Sequence, residues 1–191
     1  MPNWCNNVVH LRHDDVAQLE RAREGFLQGR LLQTFIPCPQ DLLETIAGSY
    51  GDPEQQAELQ LREAANLEKH GFRNWYDWCV AHWGTKWDVG SEHDTADIVD
   101  GVLTLAFDSA WSPPIEAYEQ LIEQGFGIEA FYYEPGMAFC GSWTDGADEQ
   151  YEIPSTSSEA RKIIPDEIDD MFAIVESMEM WEEEDSDIES E

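Results

Sequence analysis

The chain has 191 residues, of which 41 are Asp or Glu and ten are Lys or Arg, a formal net charge of −31. Hydrophobic residues make up 42%, with eight Trp, eight Phe and six Tyr, and that excludes general disorder because such a chain can offset its ordering entropy by burial. No run of eighteen apolar residues occurs, so no membrane-spanning helix is expected. The start, MPNWCNNVVH, has neither a basic region nor an apolar signal core, and the chain reads as unexported and cytoplasmic. The length suits one domain with a real core, or one domain and an elaboration.

In chain order, residues 7–12 alternate Val9 and Leu11 with His10 and Arg12, the pattern of a strand. Asp14 or Asp15 then caps a helix whose stripe is Val16, Leu19, Ala22, Arg23, Phe26 and Leu27, ended by Gly29. Residues 31–36 read as a short strand or extended segment closed by Pro37 and Pro39, and residues 42–47 as a short helix. Asp52 and Pro53 open a longer helix that Gly71 stops. An aromatic cluster follows (Phe72, Trp75, Tyr76, Trp78, Trp83, Trp87), with a short helix over 75–82. Residues 40–90 together read as a helical insertion.

Residues 98–107 are strand material, with Val102, Thr104 and Ala106 on one face and Leu103, Leu105 and Phe107 on the other. Ser112 is expected to cap a helix beginning Pro113-Pro114, with Ile115, Tyr118, Leu121 and Ile122 inward and Glu116, Glu119 and Glu123 outward. Residues 128–133 and 137–143 read as strands joined by a Glu134-Pro135-Gly136 turn, and residues 150–153 as an edge strand. A last helix starts at Pro165, with Ile164, Ile168, Met171, Phe172, Val175 and Met178 on its apolar face and Asp166, Asp169, Asp170, Glu176 and Glu179 opposite. Glu182, Glu183, Glu184 and Asp185 would sit at the negative end of its dipole, so fraying and a disordered tail are expected from about Glu184. The order of elements fits an α+β fold: a ferredoxin-like antiparallel sheet with helices on one face, occupying residues 1–153, and an acidic C-terminal helix and tail at 154–191.

Several blocks carry a resemblance: MPNWCNN at the start, IPCP at 36–39, WGTKWD at 83–88, FDSAWSPP at 107–114 and YYEPGMAFCG at 132–141. Together, over residues 1–151, the chain resembles the YubB-like family of plasmid- and phage-borne proteins with a ferredoxin-like domain. The resemblance implies that fold and a mobile-element origin, hence a host-cell cytoplasm. It supplies no catalytic residues, and residues 155–191 lie outside it. No iron–sulfur cysteine spacing is present.

The charge is uneven. Residues 1–87 hold 12 acids and 8 bases, whereas residues 88–191 hold 29 acids with only Arg161 and Lys162. Such a field repels nucleic acid and anionic membrane and attracts basic surfaces. Glu116, Glu119 and Glu123 form one helical row. Asp166, Asp169, Asp170, Glu176 and Glu179, continued by Glu182 and Glu183, form a second. With Asp94, Asp97, Asp100, Asp145, Asp148 and Glu149 these acids could tile a broad negative face. A DNA-binding channel that neutralises phosphates could bind that face. The expectation is a DNA mimic that blocks a basic DNA-binding host protein or nucleoprotein complex, as a restriction or CRISPR-type inhibitor would. Neither direct nucleic-acid nor membrane binding is expected, and pairing of two chains through an exposed strand edge is open. The alternatives are an acidic docking module without mimicry and a solvated, salt-adapted surface; uneven charge argues against the latter.

Other chemistry is thinly supported. Cys5, Cys38, Cys79 and Cys140 contain no CxxC and read as buried thiols. Cys79 and His82 share a helix face, but one pair does not make a zinc site, and a core thiol beside a surface histidine is the plainer reading. No GxSxG, HExxH, Walker A or deaminase pattern occurs. The expectation is therefore no enzyme, no cofactor and no metal. Trp75, Trp78, Trp83, Trp87 and Trp111 form a binding surface or, more commonly for such clusters, pack a core. Lys86 would snorkel between tryptophans or pair with Asp88.

Overall fold

The computed structural model describes residues 3–188. Strand β1 (Trp4–Arg12) is the central ladder: Cys5, Asn7, Val9 and Leu11 are buried on one face, while Asn6, Val8 and His10 are half-buried on the other. Asp15 accepts the Ala17 N–H to cap α1 (Val16–Leu27), which buries Leu19, Ala22 and Phe26. Residues 31–35, expected to be extended, instead form helix α2 (Leu31–Phe35). The cause is remote: the Leu32 and Gln33 N–H groups donate to Asp88 Oδ1 at 2.7 Å and Oδ2 at 2.8 Å, so a carboxylate far along the chain supplies the missing N-cap.

Three helices fill the insertion. They are α3 (Gln40–Leu43), shorter than the expected 42–47; α4 (Pro53–His70), with a full Asp52–Gln55 capping box and Gly71 left-handed at its end; and α5 (Trp75–Trp83). Strands β2 (Ala96–Val99) and β3 (Val102–Ala110) replace the single strand expected there. Between them Asp100 and Gly101 have φ of 52° and 78°, the paired positive values of a type I′ hairpin turn.

Helix α6 (Ile115–Glu123) follows, but Pro114, not Ser112, occupies its N-cap, because the Ser112 hydroxyl donates to the Gly84 carbonyl. Strands β4 (Gly127–Glu134), β5 (Phe139–Thr144) and β6 (Ala147–Glu152) form a meander. The single expected last helix is three: α7 (Ser157–Ile163), α8 (Asp166–Phe172) and α9 (Ile174–Ile188). Ala173 adopts φ 50° between the last two, and the Val175 N–H turns to the Asp169 carboxylate. Helix α9 is described through Ile188, and the part of the expected tail beyond 188 lies outside the described residues.

The sheet order is β2-β3-β1-β4-β5-β6, with every neighbouring pair antiparallel. Its first four strands, with α1 and α6 as the crossovers, are two interleaved βαβ units, the ferredoxin-like arrangement; β5 and β6 extend it past β4. One face carries the main core: Val9, Leu11, Leu103, Leu105, Ile128 and Trp143 pack against Phe26, Trp78, Trp83 and Leu121 from the helices. Each such fully buried side chain contributes about 1.5–3 kcal/mol.

Helices were expected on one face only, but they cover parts of both. Phe131 and Cys140 face away from the main core, and Ala160, Ile164, Ile168, Ile174 and Val175 of the C-terminal helices bury them. The physical reason is in β4 and β5, where both side-chain parities are apolar, so a one-sided sheet would leave Phe131 and Tyr133 in water.

Candidate functional site

The acidic residues fall into three places, not one plate. Glu116, Glu119 and Glu123 are exposed on α6, above the main core. Asp166, Asp170 and Glu176 are exposed on α8 and α9, on the opposite face, with Asp169 half-buried. Asp145, Asp148 and Glu149 lie at the β5–β6 turn and on the edge strand between these layers. The two helical rows therefore do not share a face. The charge runs as a belt around the β4–β6 end of the sheet, from one helix layer over the edge to the other.

Part of the belt is engaged internally. Asp145 Oδ1 accepts the Ile128 N–H at 3.0 Å, and Asp148 Oδ1 accepts the Tyr132 hydroxyl at 2.7 Å, pinning β6 to the core. Burial and that carboxylate push the Tyr132 phenol up. Glu149 accepts from the Tyr151 hydroxyl, Asp169 from the Val175 N–H, and Glu179 from Arg161 at 2.6 Å. Glu182 accepts both the N–H and the hydroxyl of Ser157, which holds its carboxyl below the usual glutamate value. Glu183 is exposed on α9. Glu116, Glu119, Glu123, Asp166, Asp170 and Glu176 have no ion pair among the described residues. Arg161 is one of only two bases beyond Lys86, and it is already paired with Glu179.

No family model matches the chain, and no curated protein does. Among solved structures it is similar to protein api92 from Yersinia pseudotuberculosis, a protein labelled DUF1281, at 16% identity and a TM-score of 0.41. The alignment covers 81% of this chain and 99% of that one. A likeness that distant transfers no function.

The remaining candidates separate cleanly. Cys79 and His82 do not converge: His82 stacks on Trp78 at 4.1 Å, with Nδ1 2.9 Å from the Trp78 carbonyl oxygen. Cys79 instead lies in the same buried cluster as Cys38; the influence of the Cys38 thiol and burial push Cys79 up, and the Cys79 thiol pulls Cys38 down. Burial pushes Cys5 up to about 12 and Cys140 to about 11, so neither is a thiolate near neutrality. Among the described residues no group of three or more His, Cys, Asp or Glu could hold a metal ion, and no helix is long and apolar enough to cross a membrane.

The tryptophans divide by depth. Trp78 and Trp83 belong to the core, where Trp83 Nε1 donates to the Ile36 carbonyl. Trp87 and Trp111 are exposed and hold Lys86 between them, its Nζ 3.8 Å and 4.5 Å from the two ring centroids. Lys86 therefore lies on indoles and not on Asp88, whose carboxylate caps α2. Residue reading missed what the open part of the second sheet face brings together. Next to Trp87 stands Trp4, centroids 5.7 Å apart, and both border a cleft of about 590 Å³ floored by β1 and β3 and closed by Met171 and Phe172 of α8. Trp4, Trp87 and Asp108 fall in the blocks MPNWCNN, WGTKWD and FDSAWSPP, but nothing in those blocks by itself shows that they meet.

Proposed function

We propose that the protein acts by stoichiometric, electrostatically steered binding, as a DNA mimic that occupies the nucleic-acid site of a basic host protein. The observation that carries this reading is the excess of acid: 29 acids against two bases in residues 88–191, placed on both helix layers and on the edge strand. A strongly acidic surface with so few bases suits a basic channel. Released counterions favour the complex, as they do when such a channel takes a duplex. The protein needs no cofactor or metal for this and turns nothing over. The YubB-like resemblance adds the context, a plasmid or phage protein directed at a restriction or CRISPR-type defence.

A second reading has its own support. Asp145, Asp148, Asp169, Glu179 and Glu182 serve the fold directly, which suits an acidic docking module without mimicry. Affinity capture from a host lysate at low and moderate salt, followed by challenge with duplex DNA, separates the two. Mimicry requires a salt-sensitive DNA-binding protein that duplex displaces. A captured partner that duplex leaves in place supports the docking module and overturns mimicry. Capture of nothing at either salt rejects both.

A further inference from the structure

The cleft beside Trp4 is chemically unlike the belt, and its lining points to a particular kind of ligand. Its floor is the open face of β1 and β3, where Val8 pairs with Ala106 and Asn6 with Asp108. Its walls are Trp4 and Trp87 on one side, 44% and 42% exposed, and Met171 and Phe172 on the other. Asp88, Asp94 and Asp108 line it together with these apolar groups, and no Lys or Arg does. Asp88 is committed to the α2 cap. Asp108 gives one oxygen to Asn6 Nδ2 at 2.7 Å, and Asp94 gives one to the Ser91 hydroxyl at 2.9 Å. Each of the two keeps a second oxygen without a hydrogen-bond or ion-pair partner among the described residues. The nearby base, Lys86, does not line the cleft; it lies on the Trp87 and Trp111 rings.

We propose that this cleft is the docking site for an arginine side chain presented by a basic segment of the partner protein. The assignment deepens the basic-partner reading and rests on it. An arginine has an apolar stem that packs along indole and thioether surface, and a planar guanidinium that donates to carboxylates and stacks on aromatic rings. Walls of Trp, Met and Phe over a floor edged with carboxylates match both parts. A lysine ammonium matches only the charge, and a neutral side chain matches neither. Desolvated aromatic anchors paired with arginine are where interfaces concentrate their binding energy. The belt would then steer the partner and the cleft would hold it. The same helix joins the two, since α8 contributes Met171 and Phe172 to the cleft and Asp166 and Asp170 to the belt.

The test follows the indole N–H signals of the full chain by NMR, with Trp4→Phe and Trp87→Phe variants to assign them. The probe is a Gly/Ser peptide carrying two arginines, compared with its citrulline and lysine versions. The expected result is saturable shifts at Trp4 and Trp87 with the arginine peptide and none with the citrulline peptide. Asp94→Asn with Asp108→Asn should weaken binding about fivefold or more, the weight of a partly exposed charge-assisted contact. Both variants keep an amide oxygen for Asn6 and Ser91. Glu54→Gln with Glu68→Gln, exposed on α4 outside both the cleft and the belt, should change binding less than about twofold. Equal shifts from the lysine peptide overturn the choice of arginine. Shifts confined to Trp181 of α9, or an Asp94/Asp108 double variant that binds like wild type, overturn the cleft while leaving the basic-partner reading intact. A peptide that binds nowhere, combined with empty lysate captures, removes both.

Discussion

Glu182 reaches back to Ser157 with both carboxylate oxygens, accepting its N–H and its hydroxyl at 2.7 Å each. Helix α9 is thereby fastened to the first turn of α7, so an acid counted by sequence as part of a binding surface is also a helix cap. Glu182→Ala should accelerate hydrogen exchange over residues 157–163. The carboxyl is depressed in the folded chain, so its contribution is present above the ordinary glutamate value of 4.5 and disappears as pH falls through the lower folded value. Wild type and Glu182→Ala should therefore differ in Tm at neutral pH and converge in acid. A difference that persisted in strong acid would mean the cap is not the cause.

Asp88→Ala removes the distant cap of α2 and leaves the Leu32, Gln33 and Val89 N–H groups without their acceptor. The expected loss is about 2–3 kcal/mol in urea unfolding, the usual cost of stranding buried donors of a charge-assisted bond. Burial raises the Asp88 carboxyl despite these three donors, so the sign for this group is opposite to Glu182: its ionised form weighs against folding, and its contribution improves as pH falls through the raised folded value. An Asp88→Ala chain as stable as wild type would show that α2 forms on local propensity alone.

Cys38 and Cys79 are buried in one core cluster, each thiol shifting the other, which sets the segment after α2 beside α5. Mild oxidation of the unfolded-and-refolded or slowly opening chain should give one intramolecular disulfide between them, with Cys5 and Cys140 still alkylatable after denaturation. Peptide mass mapping reads the pairing. A disulfide involving Cys5 or Cys140 would contradict the observed neighbourhood.

Gly90→Ala should be among the most damaging small substitutions. Gly90 has φ of +91°, and a Cβ there would lie 2.2 Å from the Phe26 carbonyl oxygen, which is backbone and cannot rotate away. A loss of about 2 kcal/mol or more is expected in denaturant melts, against a small effect for Gly127→Ala, whose φ is not positive and whose Cβ would meet only the Arg12 side chain at 3.8 Å.

Local signals made much of the fold readable. The period-two run of β1, the Asp52-Pro53 start and Gly71 stop of α4, and the apolar stripe of α6 are each encoded within a few residues. Two features failed because their causes are distant: α2 is nucleated by Asp88, and the α8–α9 break places an alanine, neither Gly nor Pro, at φ 50°. Two others were present but overlooked. Asp100-Gly101 between apolar runs signals a hairpin, and the apolar Phe131, Tyr133 and Cys140 on the second parity of β4 and β5 signal a covered face. The acidic rows were visible as spacing, but not their separation onto opposite faces, which depends on strand order. The blocks that hold Trp4, Trp87 and Asp108 were visible, but their meeting in a cleft, and the addition of Met171, depend on strand order and on α8.

Strand β6 ends the sheet, and three of its residues, Asp148, Glu149 and Glu152, are acids. An open strand edge invites a second copy, but two such edges laid side by side would bring like charges into register. The rim that could polymerise the fold is thus guarded by the sign of its own side chains. Crowded together, these molecules should stay apart at low ionic strength, and concentrated salt, which hides the charges from one another, is the condition under which stacking edge to edge would begin.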